Sequence, residues 1–312
     1  MRKSSEYLPY VRLIAFLEKS EELVASAAKA TLSPKEFENI ALSMNNENIE
    51  IWLRELISRG HGSPLEHTLY VFEVICSRVC SHQLVRHRHA SYSQLSQRYS
   101  DKYLNKLFDH IAAILQEALP GDYLNRRKLL ELFLEKTSSY SFEELLGVIE
   151  KAFIVPPSIV RSRDKEFLMT LIHSVMEYYR LLSLGVPYED ARYVLPQAIK
   201  TRIIVSMNAR ELVEVFLPLR MCSRAQWEIR MIAWNIWREL ATLHPRIFKY
   251  TGPRCVLSEN KVRREICSLE DYLKGNCEFT IERCPEKVPC EKIKSCLLSG
   301  FEEIALSVGD RV

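Results

Sequence analysis

Apolar positions recur along the chain with two periods, and the switches between them mark out the elements. Residues 11–16 (VRLIAF) form a short, β-permissive apolar run that predicts a first strand. Residues 21–30 have helical character, and Ser33-Pro34-Lys35-Glu36 reads as a helix start, with a cap, proline at the first position and an acid in the first turn. Ile49, Trp52, Leu53, Leu56 and Ile57 repeat at helical spacing among charges, and Gly60 is placed to stop that helix. Residues 67–75 (HTLYVFEVI) are β-branched and aromatic, which predicts a buried strand. Residues 80–85 read as a short helix, and the polar string RHRHASYSQLSQRYS after it is too rich in Ser and Arg to be core.

The texture changes after Ser100. Leu107, Ile111, Ile114 and Leu115, then Leu129, Leu130, Leu132 and Phe133, keep three- and four-residue spacing and predict two or three helices in an insertion, residues 101–152. Val155-Pro156-Pro157 breaks the chain, and residues 165–184 form a longer amphipathic helix stopped by Gly185. Residues 202–207 (RIIVSM) predict another strand. Asn208 with Glu211, and Ser223 with Gln226, have capping spacing, the second pair opening a helix that runs to about Thr242, with Pro218 keeping the two helices apart. The pattern predicts an α+β fold: a mixed or antiparallel sheet flanked by helices, in a main domain 1–250 that carries the helical insertion, followed by a small cysteine-rich extension, 251–312.

Composition narrows the class. With 47% hydrophobic residues in 312, there is material for a sizeable core. A net charge of +3 is too mild to argue for nucleic acid. Arg12, Glu18 and Lys19 interrupt the apolar N-terminal stretch and no long apolar run comes after it, so neither a signal peptide nor a membrane span is expected, and the expected location is the cytoplasm. Of nine cysteines, six crowd the last 60 or so residues. The gaps between Cys277, Cys284, Cys290 and Cys296 are not the tight CxxC zinc pattern, so no metal is assigned and the thiols read as free or structural in a small closing lobe, with disulfides open to a hyperthermophile.

Residues 86–100 hold Arg86, Arg88 and Arg98, two histidines and several hydroxyls. Arginine forks bind phosphate and carboxylate bidentately, while serine hydroxyls and Gln94 suit a sugar or base edge, so the string points to an anionic polar ligand such as a nucleotide. A nucleic-acid binder is disfavoured because the basic residues lie in separate blocks. A metal-dependent hydrolase is disfavoured because His61, His67, His82, His87 and His89 form no HExxH or comparable cluster.

Arg86-His87-Arg88, then Ser96, within RHRHASYSQLSQRY, resembles the signature of flavin-dependent thymidylate synthases. Three further blocks keep the same family's order: His61-Gly62-Ser63-Pro64-Leu65-Glu66-His67; Glu189-Asp190-Ala191-Arg192 with Val194-Leu195-Pro196; and Asn208-Ala209-Arg210 with Leu219-Arg220 and Arg224-Ala225-Gln226-Trp227-Glu228. The resemblance implies methylation of dUMP to dTMP, with 5,10-methylenetetrahydrofolate as carbon donor and FAD, reduced by NADPH, as hydride carrier, in a homotetramer whose sites draw on several subunits. It implies Arg220 as the catalytic residue, favouring ionisation at nitrogen 3 of the uracil. It implies dUMP contacts from Gln83, Arg86, Gln94, Ser96, Arg98, Arg192 and Arg220, and FAD contacts from His61, Ser63, Arg86, His87, Arg88, Gln94, Asn208 and Arg210. Three features depart from the family: Gln94 stands where many members carry Glu, the stretch from Asn208 to Arg220 is one residue longer, and Glu214 falls where the family has a flavin contact. One extra residue in a helix rotates the downstream residues by about 100°, and Pro218 is placed to absorb it as a kink.

Overall fold

The computed structural model describes residues 6–119, 121–263, 265–278 and 280–308. Strands β1 (Tyr10–Phe16), β2 (Tyr70–Ser77), β3 (Ala90–Gln94) and β4 (Lys200–Met207) form an antiparallel sheet in the order β1-β2-β4-β3. In β2, buried Tyr70, Phe72, Val74 and Cys76 alternate with partly exposed Val71, Glu73 and Ile75, the signature of a strand with one face in a core. It starts later than its apolar run, because Pro64 lies in a 3-10 turn, Ser63–His67, and the Thr68 hydroxyl donates to the Leu65 carbonyl at 2.8 Å. β3 lies inside the polar string that is too rich in Ser and Arg to be core. An edge strand needs no apolar core face, and its Ser, Tyr and Gln alternate exposed with half-buried.

Contact density divides the chain into two compact units. One comprises Ile75–His82 and Ser93–Ile203 with the segment up to Tyr10. The insertion belongs to this unit as three helices, Lys102–Leu115, Tyr123–Glu135 and Phe142–Ile149, packed around Lys165–Ser183. Leu107, Phe108, Leu130, Phe133 and Leu145 share a single core with Ile172, Val175 and Tyr179. Caps set the helix starts: Asp122 accepts from the Asn125 amide, Asp164 from the Phe167 amide, and Ser141 with Glu144 forms a reciprocal capping box. Arg126 ties the insertion together, donating to Asn105, Tyr179 and Asp101 at 2.7, 3.1 and 3.2 Å.

The second unit comprises Val11–Val74, Gln83–Tyr92 and Ile204–Val312. Helix Asn46–Arg59 is capped by Asn45 and ends on Gly60 at φ 69°, a left-handed conformation that favours glycine. Two predicted starts move. Ser33-Pro34 precedes a turn, and the helix begins at Phe37. Helix Trp227–Leu243 is capped by Gln226, whose side-chain oxygen accepts from the Glu228 and Ile229 amides, while Ser223 turns instead to Cys296. The extension carries helices Arg254–Val262, Leu269–Lys274 and Cys290–Val308. A disulfide, Cys267–Cys277, brackets the middle helix, and buried Asn260 holds its entry by bonding both the amide and the carbonyl of Cys267.

In the first unit Lys200, at the start of β4, is 6% exposed and donates to the Glu150 carbonyl. Burial pushes its ammonium from 10.5 down to about 8 despite nearby Glu6 and Glu150. At pH 7 the folded state carries this desolvation penalty; as pH rises through about 8 the folded lysine loses its proton before the unfolded one, so stability rises up to about pH 10.5. Lys200→Met is therefore expected to stabilise the protein at pH 7 by up to about 3 kcal/mol, with the advantage shrinking by pH 10. Urea midpoints of both proteins at the two pH values check it; an advantage that does not change with pH contradicts it.

Candidate active site

The candidate residues fall into two groups, one in each unit. In the second unit the central feature is a chain of three side chains. Glu211 Oε1 and His87 Nδ1 are 2.9 Å apart, and Arg220 Nε donates to His87 Nε2 at 2.9 Å. Because Nε2 accepts, the ring proton sits on Nδ1 and is donated to the Glu211 carboxylate, which fixes the tautomer. His87 and Glu211 are 4% and 3% exposed, and the Phe216 ring meets the imidazole edge-on with centroids 4.9 Å apart. Arg220 also donates from Nη2 to the Gln83 carbonyl at 3.3 Å, so Nε and Nη2 are both anchored. Tyr92 closes the loop below, its hydroxyl lying 2.8 Å from the Leu84 carbonyl and 2.7 Å from that of His87. Burial and then the Glu211 charge push its phenol up, so it stays protonated.

The stretch from Asn208 to Arg220 departs from α geometry before Pro218 rather than at a kink on it. Asn208 caps the segment through its side-chain oxygen, which accepts from the Glu211 amide at 2.9 Å. Glu211–Phe216 is then a π-helix, and Leu217–Arg220 returns to α geometry. Proline has no N–H to offer the preceding turn, and the Val213 carbonyl, five residues before Pro218, accepts from the buried Thr251 hydroxyl at 3.0 Å.

Beside this chain, Ala209 donates its amide to Thr68 Oγ1 at 2.7 Å, which ties the Asn208-Ala209-Arg210 block to the loop of His61 and Ser63. His61 and Ser63 are exposed, and a Cβ on Gly62 would meet Arg210 Nε at 2.7 Å. Glycine is what lets this loop approach Arg210. Arg210 pairs with Glu66 and, at 3.0 Å, with Glu214. Glu214 is neutralised by Arg210 and by Lys261 of the extension at 3.4 Å. Arg86 and Arg88 are exposed on the turn into β3.

The first unit holds the other group. Gln94 donates to Thr201 Oγ1 at 3.1 Å. Ser96 accepts the Arg98 amide at 3.2 Å, in a turn after β3. Arg98 Nε reaches Glu189 at 3.0 Å, and Arg192 Nε donates to the Glu189 carbonyl at 3.0 Å, so one short segment gathers two guanidinium groups. Sequence reasoning missed a third: half-buried Arg78, which opens the short helix Arg78–Leu84 just after β2, and whose guanidinium is pushed down by burial and then by the positive charge of Arg192. The like charges of Arg78 and Arg192 would be relieved by an anion. Glu211 was also missed as a side chain; its spacing marked it only as a cap.

Among the described residues no helix is long and apolar enough to cross a membrane. The family model "Thymidylate synthase complementing protein" matches residues 12–246. A flavin-dependent thymidylate synthase of Aeropyrum pernix is 45% identical over 92% of this chain and 91% of its own length. One from Sulfurisphaera tokodaii is 40% identical over 92% and 95%. The fold is similar to that of the flavin-dependent thymidylate synthase of Helicobacter pylori solved with FAD and dUMP, with TM-score 0.54 and 21% identity over 78% of this chain and 99% of that one. It is also similar to a UMP/dUMP methylase of Streptomyces cacaoi, with TM-score 0.52 and 23% identity over 77% and 93%. With its four sequence blocks in order, its antiparallel α+β fold and these relatives, the chain belongs to the thymidylate synthase complementing protein family.

Proposed function

We infer that the chain is a flavin-dependent thymidylate synthase that methylates dUMP to dTMP, and the observation that carries the reading is the buried Glu211–His87–Arg220 chain. Carbon 5 of uracil is a poor nucleophile until negative charge builds on the ring. A guanidinium stays protonated, so Arg220 is a poor base but a lasting partner for that charge. Its orientation is set in advance: His87 holds Nε, Glu211 holds His87, and Gln83 holds Nη2. The imidazole is buried with both nitrogens engaged, so the part of His87 in this reading is to position Arg220 beside the cofactor.

The guanidiniums of Arg98, Arg192 and Arg78, with Ser96, suit the phosphate of dUMP, whose charge would relieve the repulsion between Arg78 and Arg192. Gln83, Arg86 and Gln94 are assigned to the rest of the nucleotide. For FAD, the loop around Gly62, where a Cβ would strike Arg210, gives a close-approach cradle with exposed His61 and Ser63. Arg210, Asn208, Arg86, Arg88 and Gln94 complete the assignment. When bound and reduced by NADPH, FAD supplies the hydride that turns the one-carbon unit from 5,10-methylenetetrahydrofolate into a methyl group. The proposed assembly is a cytoplasmic homotetramer in which several subunits contribute to each site.

The visible spectrum of the purified protein, and then dUMP-dependent NADPH oxidation, tests the reading. Flavin bands and oxidation that rises with dUMP are expected; a colourless protein that takes up no FAD and oxidises no NADPH overturns it. Arg220→Ala is expected to lower kcat by about 10²–10³-fold while FAD stays bound. Glu211→Gln keeps the shape but weakens the hold on His87, and is expected to lower kcat by up to about 10²-fold with little change in the KM for dUMP. Steady-state kinetics on the FAD-loaded variants decide both; an unchanged kcat in either contradicts the role given to it.

A further inference from the structure

The C-terminal extension places a cation on the loop assigned to FAD. Lys261 lies in helix Arg254–Val262, outside the span 12–246 that the family model matches. That helix packs on helix Asn46–Arg59 and on Leu217–Arg220. Its end is fixed by buried Asn260, whose side-chain amide donates to the Tyr250 and Cys267 carbonyls at 2.9 and 2.8 Å. Lys261, the next residue, reaches the start of the loop: a Cβ on Gly60 would lie 3.8 Å from its Nζ. The ammonium donates to Glu214 Oε1 at 3.4 Å.

Glu214 divides its two oxygens. Oε1 faces Lys261, and Oε2 accepts from Arg210 Nε at 3.0 Å. Arg210 Nη1 donates to Glu66, and neither bond uses Nη2. A Cβ on Gly62 would meet Arg210 Nε at 2.7 Å and Glu214 Oε2 at 2.8 Å, so the loop rests directly on this ion pair. The Arg210 and Glu66 side chains are 44% and 50% exposed, whereas that of Glu214 is 19% exposed. An anion arriving from solvent can therefore turn Glu66 out into water, but Glu214 stays beside the guanidinium. Two carboxylates against one guanidinium leave a negative charge uncancelled, which an incoming phosphate would have to face. Lys261 cancels it.

We propose that Lys261 is a positioning residue for the cofactor: by holding Oε1 of Glu214, it keeps that charge answered when a phosphate group of FAD takes Arg210. The proposal rests on the assignment of FAD to this loop. Before the cofactor binds, Glu66 and Glu214 hold the guanidinium against Gly62. As the phosphate engages Nη1 and Nη2, Glu66 turns to solvent and Glu214 is shared between Arg210 Nε and Lys261. Lys261 acts through Glu214, so it matters only while Glu214 carries its charge.

The test frees the full chain of flavin and titrates it with FAD, binding being followed by quenching of the flavin fluorescence. Lys261→Ala is expected to weaken FAD about three- to tenfold, with the gap closing between about 50 mM and about 500 mM salt. Lys261→Arg is expected to bind within about twofold of wild type. In a Glu214→Gln background the same Lys261→Ala change is expected to cost less than about twofold, since no charge is left for the lysine to answer. Lys274→Ala removes an equal charge elsewhere in the extension, from an exposed pair with Glu270 at 3.4 Å, and is expected to leave FAD affinity unchanged. Circular dichroism confirms that the variants fold. Lys261→Ala that binds FAD as wild type does overturns the proposal. So does a loss as large in the Glu214→Gln background, which would mean that the ammonium meets the cofactor directly, and so does an equal loss in Lys274→Ala, which would reduce the effect to net charge. Wild-type protein that takes up no FAD overturns this proposal and the synthase reading together; FAD taken up without dUMP-dependent NADPH oxidation strikes the synthase reading alone.

Discussion

The hydrogen-bonded chain from Glu211 through His87 to Arg220 is the constraint around which the second unit is arranged. It joins side chains 124 and 133 positions apart in sequence. A buried carboxylate and imidazole are tolerable only when each polar atom is satisfied, and here each group answers the next. The packing around them, Phe216 against the ring and Tyr92 beneath the His87 carbonyl, excludes water and leaves the guanidinium little freedom. The outcome is a fixed positive charge, already oriented before any ligand arrives, which is the form of electrostatic help that needs no rearrangement during reaction.

The π-helix sets the direction in which Arg220 follows from Asn208. Each residue of an α-helix turns about 100° around the axis, so widening one stretch to i→i+5 bonding changes which way the next helical turn presents its side chains. Thr251, after the helix that ends at Leu243, satisfies the Val213 carbonyl, so the C-terminal part of the chain takes part in holding this geometry. Lys261 of the extension likewise answers the charge of Glu214, together with Arg210.

Elements with a strong period were legible from sequence: β1, β4, the helix Lys165–Ser183 and the first two helices of the insertion appear where apolar spacing puts them, while that spacing leaves the third, Phe142–Ile149, open. β3 was not, because an edge strand can be built of Ser, Tyr and Gln that carry no hydrophobic alternation. Caps slipped by a few residues at Ser33 and Ser223, since several polar residues compete for each helix start and only the backbone decides among them. The identities of Arg220, Asn208 and Arg98 as residues of interest came from matched blocks. The partners that fix them, Glu211, Tyr92 and Glu189, became visible only when distant segments were brought together. Arg78 escaped for the same reason.

The central claim is that the hydride comes from a flavin rather than from the folate. The folate product decides this most directly, measured by chromatography beside dTMP after incubation of the FAD-loaded protein with dUMP, NADPH and 5,10-methylenetetrahydrofolate. Tetrahydrofolate formed in step with dTMP is the expected result, since the folate then gives up carbon alone. Dihydrofolate formed in step with dTMP would contradict the account, because the hydride would then have left the folate.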